Sequence, residues 1–449
     1  MRATVMQARQ GSFRSLLRVL AAAITLPGLY ATPAEAGQLP PVILVPGSPG
    51  VELRDARTGA LMFPRAKLMF TRHGSDALAL PLEHPEETGV VAGALVRRVK
   101  VLPGLTLKVD AYGPLLTRLR AQGYREGDWL DPGAGPEVYV FLYDWRQSVE
   151  HGARLLFRQM ASLHAKQAGG TPRFVLIGHS IGGMLIRYAL MYGEAPLGLS
   201  GPLPDVSWAG ARLTSEAYLV ATPNEGAFGA LEVVHRGNFY RWGWGAFSPE
   251  TLFTLPGIFD MIPAHLDPLV DVSGNALGWN LNEGDDWERL GWSVFDPARR
   301  RRLSLEQARA HVRSELARKA RLLEALDATG PTPNPVVMHL VGSDCRPVLR
   351  SAIVSEDATK TRVRFKPIGG PFHERLRALL FEPGDATISA RSLAGAGVPH
   401  DARTTLHYSS LSLPCASHQK LMSSPLLLDA LLPELTRIAQ EAEPGEDAR

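Results

Sequence analysis

Apolar residues in this chain alternate between short unbroken runs and segments with helical spacing. Unbroken runs lie at residues 41–45, 138–143, 174–177, 217–221 and 336–341. Helical spacing is clearest where apolar residues recur at intervals of four and three, at Val149, Ala153, Leu156, Met160 and Leu163. Strands buried on both faces read as unbroken apolar runs, and the helices that cover them carry one apolar face. The pattern therefore predicts an α/β fold with a mostly parallel sheet and helices on both faces.

The same pattern predicts elements towards the two ends of the chain. Its spacing and turn residues indicate a helix over 112–124, a hairpin over 351–367 that turns near Ala358, a last strand over 404–408 and a closing helix over 425–439.

The alternation stops between about Gly226 and Gly330, where no clear strand is predicted. The segment is instead rich in aromatic residues: Phe228, Phe239, Tyr240, Trp242, Trp244, Phe247, Phe253, Phe259, Trp279, Trp287, Trp292 and Phe295. We interpret 226–330 as a cap insertion between two parts of one core, 37–225 and 331–449.

A basic helix closes this predicted cap, with apolar positions at Val312, Leu316, Leu323 and Leu326. Its positive charges are Arg299, Arg300, Arg301, Arg302, Arg313, Arg318, Lys319 and Arg321. Two interpretations stay open: a surface that meets anionic lipid headgroups, or a solvated helix face over an aromatic core. The second is favoured, because runs of charge are usually solvated faces.

The N-terminus has the features of an export signal. Four arginines precede an apolar stretch at 19–30, and Ala34 and Ala36 then supply small residues where a signal peptidase reads. The stretch is broken by Pro27 and is too short to span a bilayer as a helix. We expect residues 1–36 to be a signal peptide of a periplasmic or secreted protein, with a retained membrane anchor as the less favoured alternative.

Charge and composition exclude some function classes. Loss of residues 1–36 removes four arginines and one glutamate, so the formal charge falls from +3 to zero. Nucleic acid is therefore not an expected partner, because its binding depends on excess positive charge. Spacings typical of metal ligands do not occur, so the sequence gives no support for a metal or other cofactor.

The strongest chemical signal is Gly-His-Ser-Ile-Gly at 178–182. It follows the apolar run 174–177 and precedes a helix-compatible segment, which is the strand–turn–helix setting of a nucleophile elbow. Ser180 is therefore the candidate nucleophile. An ordinary glycine-rich turn is the alternative interpretation.

A serine nucleophile needs a base, and the base needs an acid to orient it. On an α/β-hydrolase sheet the acid and then the histidine follow later in the chain. Asp385 lies on a turn within Gly-Asp-Ala-Thr, and His418 lies in the loop before the last helix. We predict Asp385 as the acid and His418 as the base, with His407 and His400 as the other candidates for the base.

The oxyanion of an ester hydrolase needs two backbone donors. One comes from the residue after the nucleophile, here Ile181, and the other from the loop after an early strand. In Gly-Ser-Pro-Gly at 47–50 the proline has no N–H, so Ser48 is the predicted second donor. A plain β-turn is the alternative for this loop.

Taken together, these motifs resemble the lecithin:cholesterol acyltransferase and lysosomal phospholipase A2 family, in a bacterial branch. The resemblance rests on Val-Pro-Gly at 45–47, Tyr-Asp-Trp-Arg at 143–146, the elbow, Thr-Pro at 222–223, Gly-Asp-Ala-Thr at 384–387, and His418. It implies an α/β-hydrolase with a cap and a lipid-facing lobe over 51–111. That lobe would include the apolar segments 61–63 and 68–70. It also implies that Ser180, Asp385 and His418 form the family triad and act on acyl esters.

Some residues depart from the family pattern. Ala386 stands where a glycine is usual after the acid, and Asn224-Glu225 stands where the animal enzymes tend to have Trp-Gly, which bears on substrate fit. The early disulfide of those enzymes cannot form, because Cys345 and Cys415 are the only cysteines. In an exported chain this pair suggests one bridge that would tie the histidine loop to a neighbouring strand. Two separate buried thiols are the alternative.

The sequence thus predicts a secreted or periplasmic serine esterase of lipase, phospholipase or acyltransferase type that forms an acyl-enzyme on Ser180. Its partner would be a lipid or ester substrate, with possible contact with a membrane surface. A hydrolase of another ester, such as a polyester or a small soluble ester, is the first alternative. A lipid-binding module without catalysis is the second.

Overall fold

A computed structural model of the chain describes residues 38–65, 74–102, 105–167, 173–239, 246–357, 360–395, 398, 404–409 and 415–441. Several predictions lie outside these ranges: the signal peptide at 1–36, the apolar segment 68–70, Tyr240, Trp242, Trp244, the turn at Ala358, and His400.

The strands are β1 Val42–Val45, β2 Val51–Asp55, β3 Leu61–Phe63, β4 Val90–Leu95, β5 Arg98–Leu102, β6 Leu105–Lys108, β7 Arg125–Glu126, β8 Glu137–Val140, β9 Phe174–His179, β10 Thr214–Val220, β11 Asn238–Phe239, β12 Ala246–Phe247, β13 Val337–Ser343, β14 Arg346–Leu349, β15 Ile353–Asp357, β16 Lys360–Arg364, β17 Phe381–Gly384 and β18 Thr404–Ser409.

The helices are α1 Gly113–Ala121, α2 Val149–Lys166, α3 Ile181–Tyr192, α4 Gly229–Arg236, α5 Pro249–Phe253, α6 Pro256–Phe259, α7 Gly284–Arg289, α8 Leu305–Asp327, α9 His373–Leu380, α10 Ala390–Ala394 and α11 Pro425–Glu441. Short 3-10 helices occupy Gly74–Leu78, Ala211–Leu213, Ser293–Phe295 and His418–Ser423. Within the described ranges, no helix combines the length and apolar character needed to cross a bilayer.

Seven of the described strands form the main sheet, in the order β18, β13, β10, β9, β1, β8, β7. Every neighbouring pair in this order is parallel. The carboxyl ends of the strands therefore meet at one edge, with β9 between β1 and β10 at the centre. Ligands of open parallel sheets bind at this edge, which makes the loops after β1 and β9 the place to look for a site.

Helices cover both faces of the sheet because alternate residues of each central strand point to opposite sides. In β1, Ile43 and Val45 belong to the apolar cluster that includes α2 and α3. Val42 and Leu44 belong to a second cluster that includes α1 and α11. The predicted fold class is confirmed by this parallel sheet covered on both sides.

The segment predicted as a cap, 226–330, runs between β10 and β13 of the main sheet. It contains the antiparallel pair β11–β12, which the sequence analysis did not predict because two-residue strands are too short to leave a period in the sequence. Its helix α8 begins with a capping box formed by Ser304 and Gln307. The apolar positions of α8 face inward, and its last turn packs on α3, where Tyr192 Oη donates to the Ala325 carbonyl at 2.7 Å.

The described residues of 51–111 form small antiparallel sheets beside the main one. β2 pairs with β3 and β4, and β5 pairs with β6. Phe63 is buried and packs against Trp145 and Phe247, with ring centroids 5.1 and 5.9 Å away. Phe63 is therefore a core residue, whereas Leu61 and Met62 are half-buried. The lipid-facing character of this lobe stays a prediction.

Candidate active site

Ser180 occupies a strained turn between β9 and α3. Its backbone dihedrals are φ 55° and ψ −130°, a region that residues with a side chain rarely adopt. The Ser180 N–H donates to the Val220 carbonyl of β10 at 2.8 Å, which fixes the turn at the edge of the sheet. The strain places the hydroxyl at the carboxyl end of the central strand, as the sequence predicted for a nucleophile elbow.

Glycines let the loops after β1 and β9 approach each other closely. A Cβ atom built on Gly182 would lie 2.4 Å from the Val45 carbonyl oxygen. A Cβ atom on Gly47 would lie 2.8 Å from Ser180 Cβ. Neither position has room for a side chain, so the loop that holds the predicted oxyanion donor Ser48 rests directly against Ser180 and the start of α3.

Asp385 and His418 form a buried pair. His418 Nδ1 lies 2.8 Å from Asp385 Oδ2, and the His418 N–H donates to the Asp385 carbonyl at 3.2 Å. Because an ionised carboxylate only accepts, Nδ1 carries the hydrogen and Nε2 is left as the basic nitrogen. Sequence reasoning singled out both residues, and the structure brings them together.

The environment of Asp385 keeps it ionised. Its Oδ1 accepts the N–H groups of Thr387 and Ile388 at 2.8 and 2.7 Å. Burial by itself raises the pKa of this carboxyl group, but the charge and hydrogen bond of His418 and the two N–H donors outweigh it, so the pKa lies below its ordinary value. The acid can therefore orient His418 and stabilise its imidazolium form.

The other described candidate for the base lies elsewhere. His407 belongs to the edge strand β18, where its Nε2 is 3.4 Å from His339 Nδ1. His339 in turn contacts Glu216, with 3.1 Å between Nε2 and Oε2. His407 is thus part of a different cluster, and His418 is the histidine beside Asp385.

His179, which sequence reasoning did not assign, packs against His418. Its ring centroid is 4.8 Å from that of His418. Both ring nitrogens have partners, since Nδ1 is 3.0 Å from Tyr112 Oη and Nε2 is 3.2 Å from the His418 carbonyl oxygen. Burial and the charge of His418 lower the pKa of His179 to about 3. His179 is therefore neutral and fully hydrogen-bonded, and it cannot compete as a base.

His179 directly precedes Ser180, so its ring contact with His418 links these two candidate residues through one neighbour. In the described part of the chain no hydrogen bond joins Ser180 Oγ to the His418 ring. Such contacts commonly tighten only when substrate binds. Both residues are less than a tenth exposed, which limits access of water to the site.

Two tyrosines hold the loop after β1. Tyr143 Oη donates to the Pro46 carbonyl at 2.8 Å, and the Gly47 N–H donates to Tyr112 Oη at 2.8 Å. The Ser48 N–H has no hydrogen-bond partner among the described residues, and Ile181 opens α3, where the first N–H groups have no partner within the helix. Both predicted oxyanion donors are therefore available.

Cys345 and Cys415 form a disulfide with their Cα atoms 6.0 Å apart. Cys345 follows β13 and Cys415 precedes His418 by three residues. The bridge therefore tethers the segment that carries the histidine to the main sheet, which is the pairing that the sequence favours.

Most of the described arginines of the predicted cap are paired with acids, several of them distant in sequence. Arg301 contacts Asp76 at 2.7 Å, and Arg318 contacts the buried Asp260 at 2.6 Å. Further pairs join Arg302 to Glu250, Arg313 to Asp285 and Arg321 to Glu324. These contacts favour the interpretation of a structural helix face over that of a headgroup-binding surface.

Two departures from the family pattern have structural roles. Ala386 has φ 80°, in the left-handed region of backbone conformations. This conformation is energetically unfavourable for any residue with a side chain, which explains why glycine is usual after the acid. Asn224 is buried and links two helices, since its side chain accepts from Arg187 at 3.1 Å and donates to the Leu393 carbonyl at 2.6 Å.

A covered parallel sheet with a serine on a strained turn after its central strand defines an α/β-hydrolase. The family model for lecithin:cholesterol acyltransferase matches residues 107–264, so the predicted resemblance to that family is confirmed. No curated protein sequence shows a significant match to the chain. Among the described residues, no group of three or more His, Cys, Asp or Glu side chains could hold a metal ion.

One solved structure supports the fold. The chain is similar to the crystal structure of the Tle4-Tli4 complex, with 14% sequence identity and a TM-score of 0.55. The match covers 90% of this chain and 99% of that chain. EstA from Clostridium botulinum matches with 12% identity and a TM-score of 0.32, over 91% of this chain and 88% of that chain. Phospholipase PlaB from Legionella pneumophila matches with 16% identity and a TM-score of 0.25, over 52% of this chain and 36% of that chain. The first match supports the fold, and the other two carry no weight.

Proposed function

We propose that the chain is a serine esterase that acts on acyl esters of lipids through an acyl-enzyme on Ser180. The observation that carries the proposal is the serine on a strained turn at the carboxyl edge of the sheet. Its neighbour His179 packs against His418 of the buried Asp385–His418 pair. The family match favours an acyl ester of a lipid as substrate over a polyester or a small soluble ester.

In the proposed reaction, Ser180 Oγ attacks the carbonyl carbon of the ester while His418 Nε2 takes the hydroxyl proton. The carbonyl oxygen becomes an oxyanion held by the N–H groups of Ser48 and Ile181. Collapse of this intermediate breaks the bond to the leaving alcohol, which takes the proton from His418. Water or a second alcohol then attacks the acyl-enzyme while His418 takes its proton. The bond from the acyl carbon to Ser180 Oγ breaks, Ser180 Oγ regains a proton from His418, and a free acid or a new ester is released.

We further propose that the enzyme works in the periplasm or outside the cell. The basic and apolar N-terminal segment supports export, and the Cys345–Cys415 disulfide suits an oxidising compartment. The substrate would then be met as a membrane lipid or a released ester.

Fluorophosphonate labelling followed by a vesicle assay tests the proposal. The folded protein should form one adduct on Ser180, and Ser180→Ala should form none. The wild type, incubated with phosphatidylcholine vesicles, should release fatty acid, and an added acceptor alcohol should divert part of the acyl groups into a new ester.

The outcomes separate the classes of function. Labelling without phospholipid turnover, combined with cleavage of a soluble or polymeric ester, would favour a different ester as substrate. Vesicle binding without any adduct would favour a non-catalytic lipid-binding module and overturn the proposal.

A further inference from the structure

A line of hydrogen bonds crosses the site beside the proposed triad. The His418 carbonyl can only accept, so the bond of 3.2 Å requires that His179 Nε2 carry a hydrogen. In the neutral ring Nδ1 is then an acceptor, and it takes the hydroxyl hydrogen of Tyr112 at 3.0 Å. The Tyr112 oxygen accepts the Gly47 N–H at 2.8 Å. Donors and acceptors along this line fit in one direction only.

Both side chains in the line remain neutral in the folded protein. Burial is the main cause that lowers the pKa of His179 to about 3, and burial raises the pKa of Tyr112 above its ordinary value. A charged form of either residue would reverse or break a hydrogen bond. The direction of the line is therefore stable across the range in which an esterase works.

The two ends of the line belong to the two halves of the proposed chemistry. Gly47 precedes Ser48, one of the two proposed oxyanion donors, and His418 is the proposed base. Tyr112 is anchored on the side of the base, because it belongs to the same apolar cluster as Ala416 and Leu421, which flank His418. Movement of Tyr112 or His179 would therefore change the distance between donor and base.

We propose that Tyr112 and His179 are positioning residues that set the oxyanion loop relative to His418, a role that rests on the proposed function. The loop at one end must reach the carbonyl oxygen of the ester. His418 at the other end must reach the Ser180 hydroxyl that attacks the same carbonyl group. Misplacement of a reacting group by about 1 Å can cost roughly 10²-fold in rate. The line is a direct route by which the fold prevents such misplacement.

Tyr112→Phe tests the proposal, and Tyr124→Phe is its matched control. Tyr124 is buried like Tyr112, and its hydroxyl is also hydrogen-bonded. Its Oη donates to the Pro40 carbonyl at 2.8 Å, at the other end of β1. With p-nitrophenyl butyrate as substrate and active sites counted by fluorophosphonate titration, Tyr112→Phe should lower kcat by about 10- to 100-fold and change KM less than about twofold. Tyr124→Phe should keep kcat within about threefold.

His179→Gln provides an independent measurement. Glutamine can still donate an N–H to the His418 carbonyl but offers no acceptor at the position of Nδ1, so it breaks the same line at Tyr112. The double variant should therefore be about as slow as the slower single variant. Melting temperatures of all variants show whether a loss of rate reflects a loss of folded protein.

The outcomes distinguish a failure of the positioning role from a failure of the proposed esterase function. Wild-type labelling together with an unchanged kcat per titrated site in Tyr112→Phe overturns the positioning role and leaves the proposed function intact. Effects of the two single variants that multiply in the double variant also overturn it. A wild type that forms no adduct overturns the proposed function itself.

Discussion

One pair of histidines lies at the carboxyl edge of the main sheet and a second pair lies within the sheet, and each pair has a carboxylate and a tyrosine beside it. At the carboxyl edge, His179 and His418 pack together with Asp385 and Tyr112, and we refer to these four residues as the edge cluster. Within the sheet, a second group lies on β10, β13, β18 and α11. We refer to it as the sheet cluster: Glu216, Tyr218, His339, His407 and Arg437.

The sheet cluster reproduces much of the polar chemistry of an active site. His339 is stacked on Tyr218 with ring centroids 4.2 Å apart and contacts Glu216 at 3.1 Å. Tyr218 Oη also donates to Glu216 at 3.0 Å, and Arg437 forms a salt bridge with the same carboxylate. A buried carboxylate with a histidine beside it is therefore present in both clusters.

The two clusters differ in what adjoins them. Backbone strain directly follows two residues of the edge cluster, since Ser180 after His179 and Ala386 after Asp385 have positive φ values of 55° and 80°. Glu216, Tyr218, His339 and His407 lie within strands of the main sheet. The comparison teaches that a histidine–carboxylate pair alone does not single out the candidate site, whereas a serine held in a strained turn beside such a pair does.

The largest test of this comparison replaces one histidine in each cluster. His418→Gln should lower kcat by about 10⁴- to 10⁶-fold, because Ser180 loses its base. His339→Gln should leave kcat per folded molecule within about threefold and act on stability instead. Hydrolysis of p-nitrophenyl butyrate with concentrations corrected by circular dichroism measures both effects. An equal loss of kcat in the two variants would contradict the distinction between the clusters.

The part of the site that the sequence predicts is the part with local signals. The elbow has glycines around a serine after an apolar run, and Asp385 lies on a turn. The role of His179 has no such signal, because its partner Tyr112 lies 67 residues earlier and is brought to it only by the packing of α1. In the elbow pattern itself, position 179 is a variable one.

A smaller effect concerns the pH dependence of folding stability. Unfolded His179 takes up a proton near its ordinary pKa of 6.5, whereas the folded residue stays neutral down to about pH 3. Protons therefore favour the unfolded state, and the free energy of unfolding falls as the pH drops below 6.5. Between pH 7 and 5 this residue should contribute a decrease of about 2 kcal/mol.

Urea unfolding of the wild type and His179→Gln at both pH values checks this expectation. The variant should lose less stability than the wild type over the same interval. Equal decreases in the two proteins would show that His179 titrates in the folded state.

The fold was predictable where elements are long and periodic. The helix at Val149–Lys166 and the strand before Ser180 follow the predicted pattern closely. Strands β14 and β17 were not predicted, because Pro347 and Pro383 lie within them and interrupt the strand pattern. The predicted strand 138–143 ends at Val140, whose carbonyl accepts the Trp129 indole N–H at 3.0 Å on the side of β7. Such a contact depends on tertiary structure.

The smallest effect bears on the strain beside the edge cluster. Ala386→Gly should raise the free energy of unfolding by about 0.5–1 kcal/mol, because glycine adopts a positive φ without steric cost. Ala378→Gly, at an exposed position inside α9, is the control and should lower the same quantity by about 1 kcal/mol. Urea titration measures both. A destabilised Ala386→Gly would show that this backbone strain is not relieved by removing the side chain.

The bond between Cys345 and Cys415 has a consequence for how the protein is made. Its closure removes two electrons from two thiols, so the producing cell must supply an electron acceptor before the segment ahead of His418 is covalently fixed. In a reducing cytosol, the polypeptide would keep that segment in place by noncovalent packing alone. Recombinant preparations should therefore be compared by their thiol content before their catalytic rates are compared.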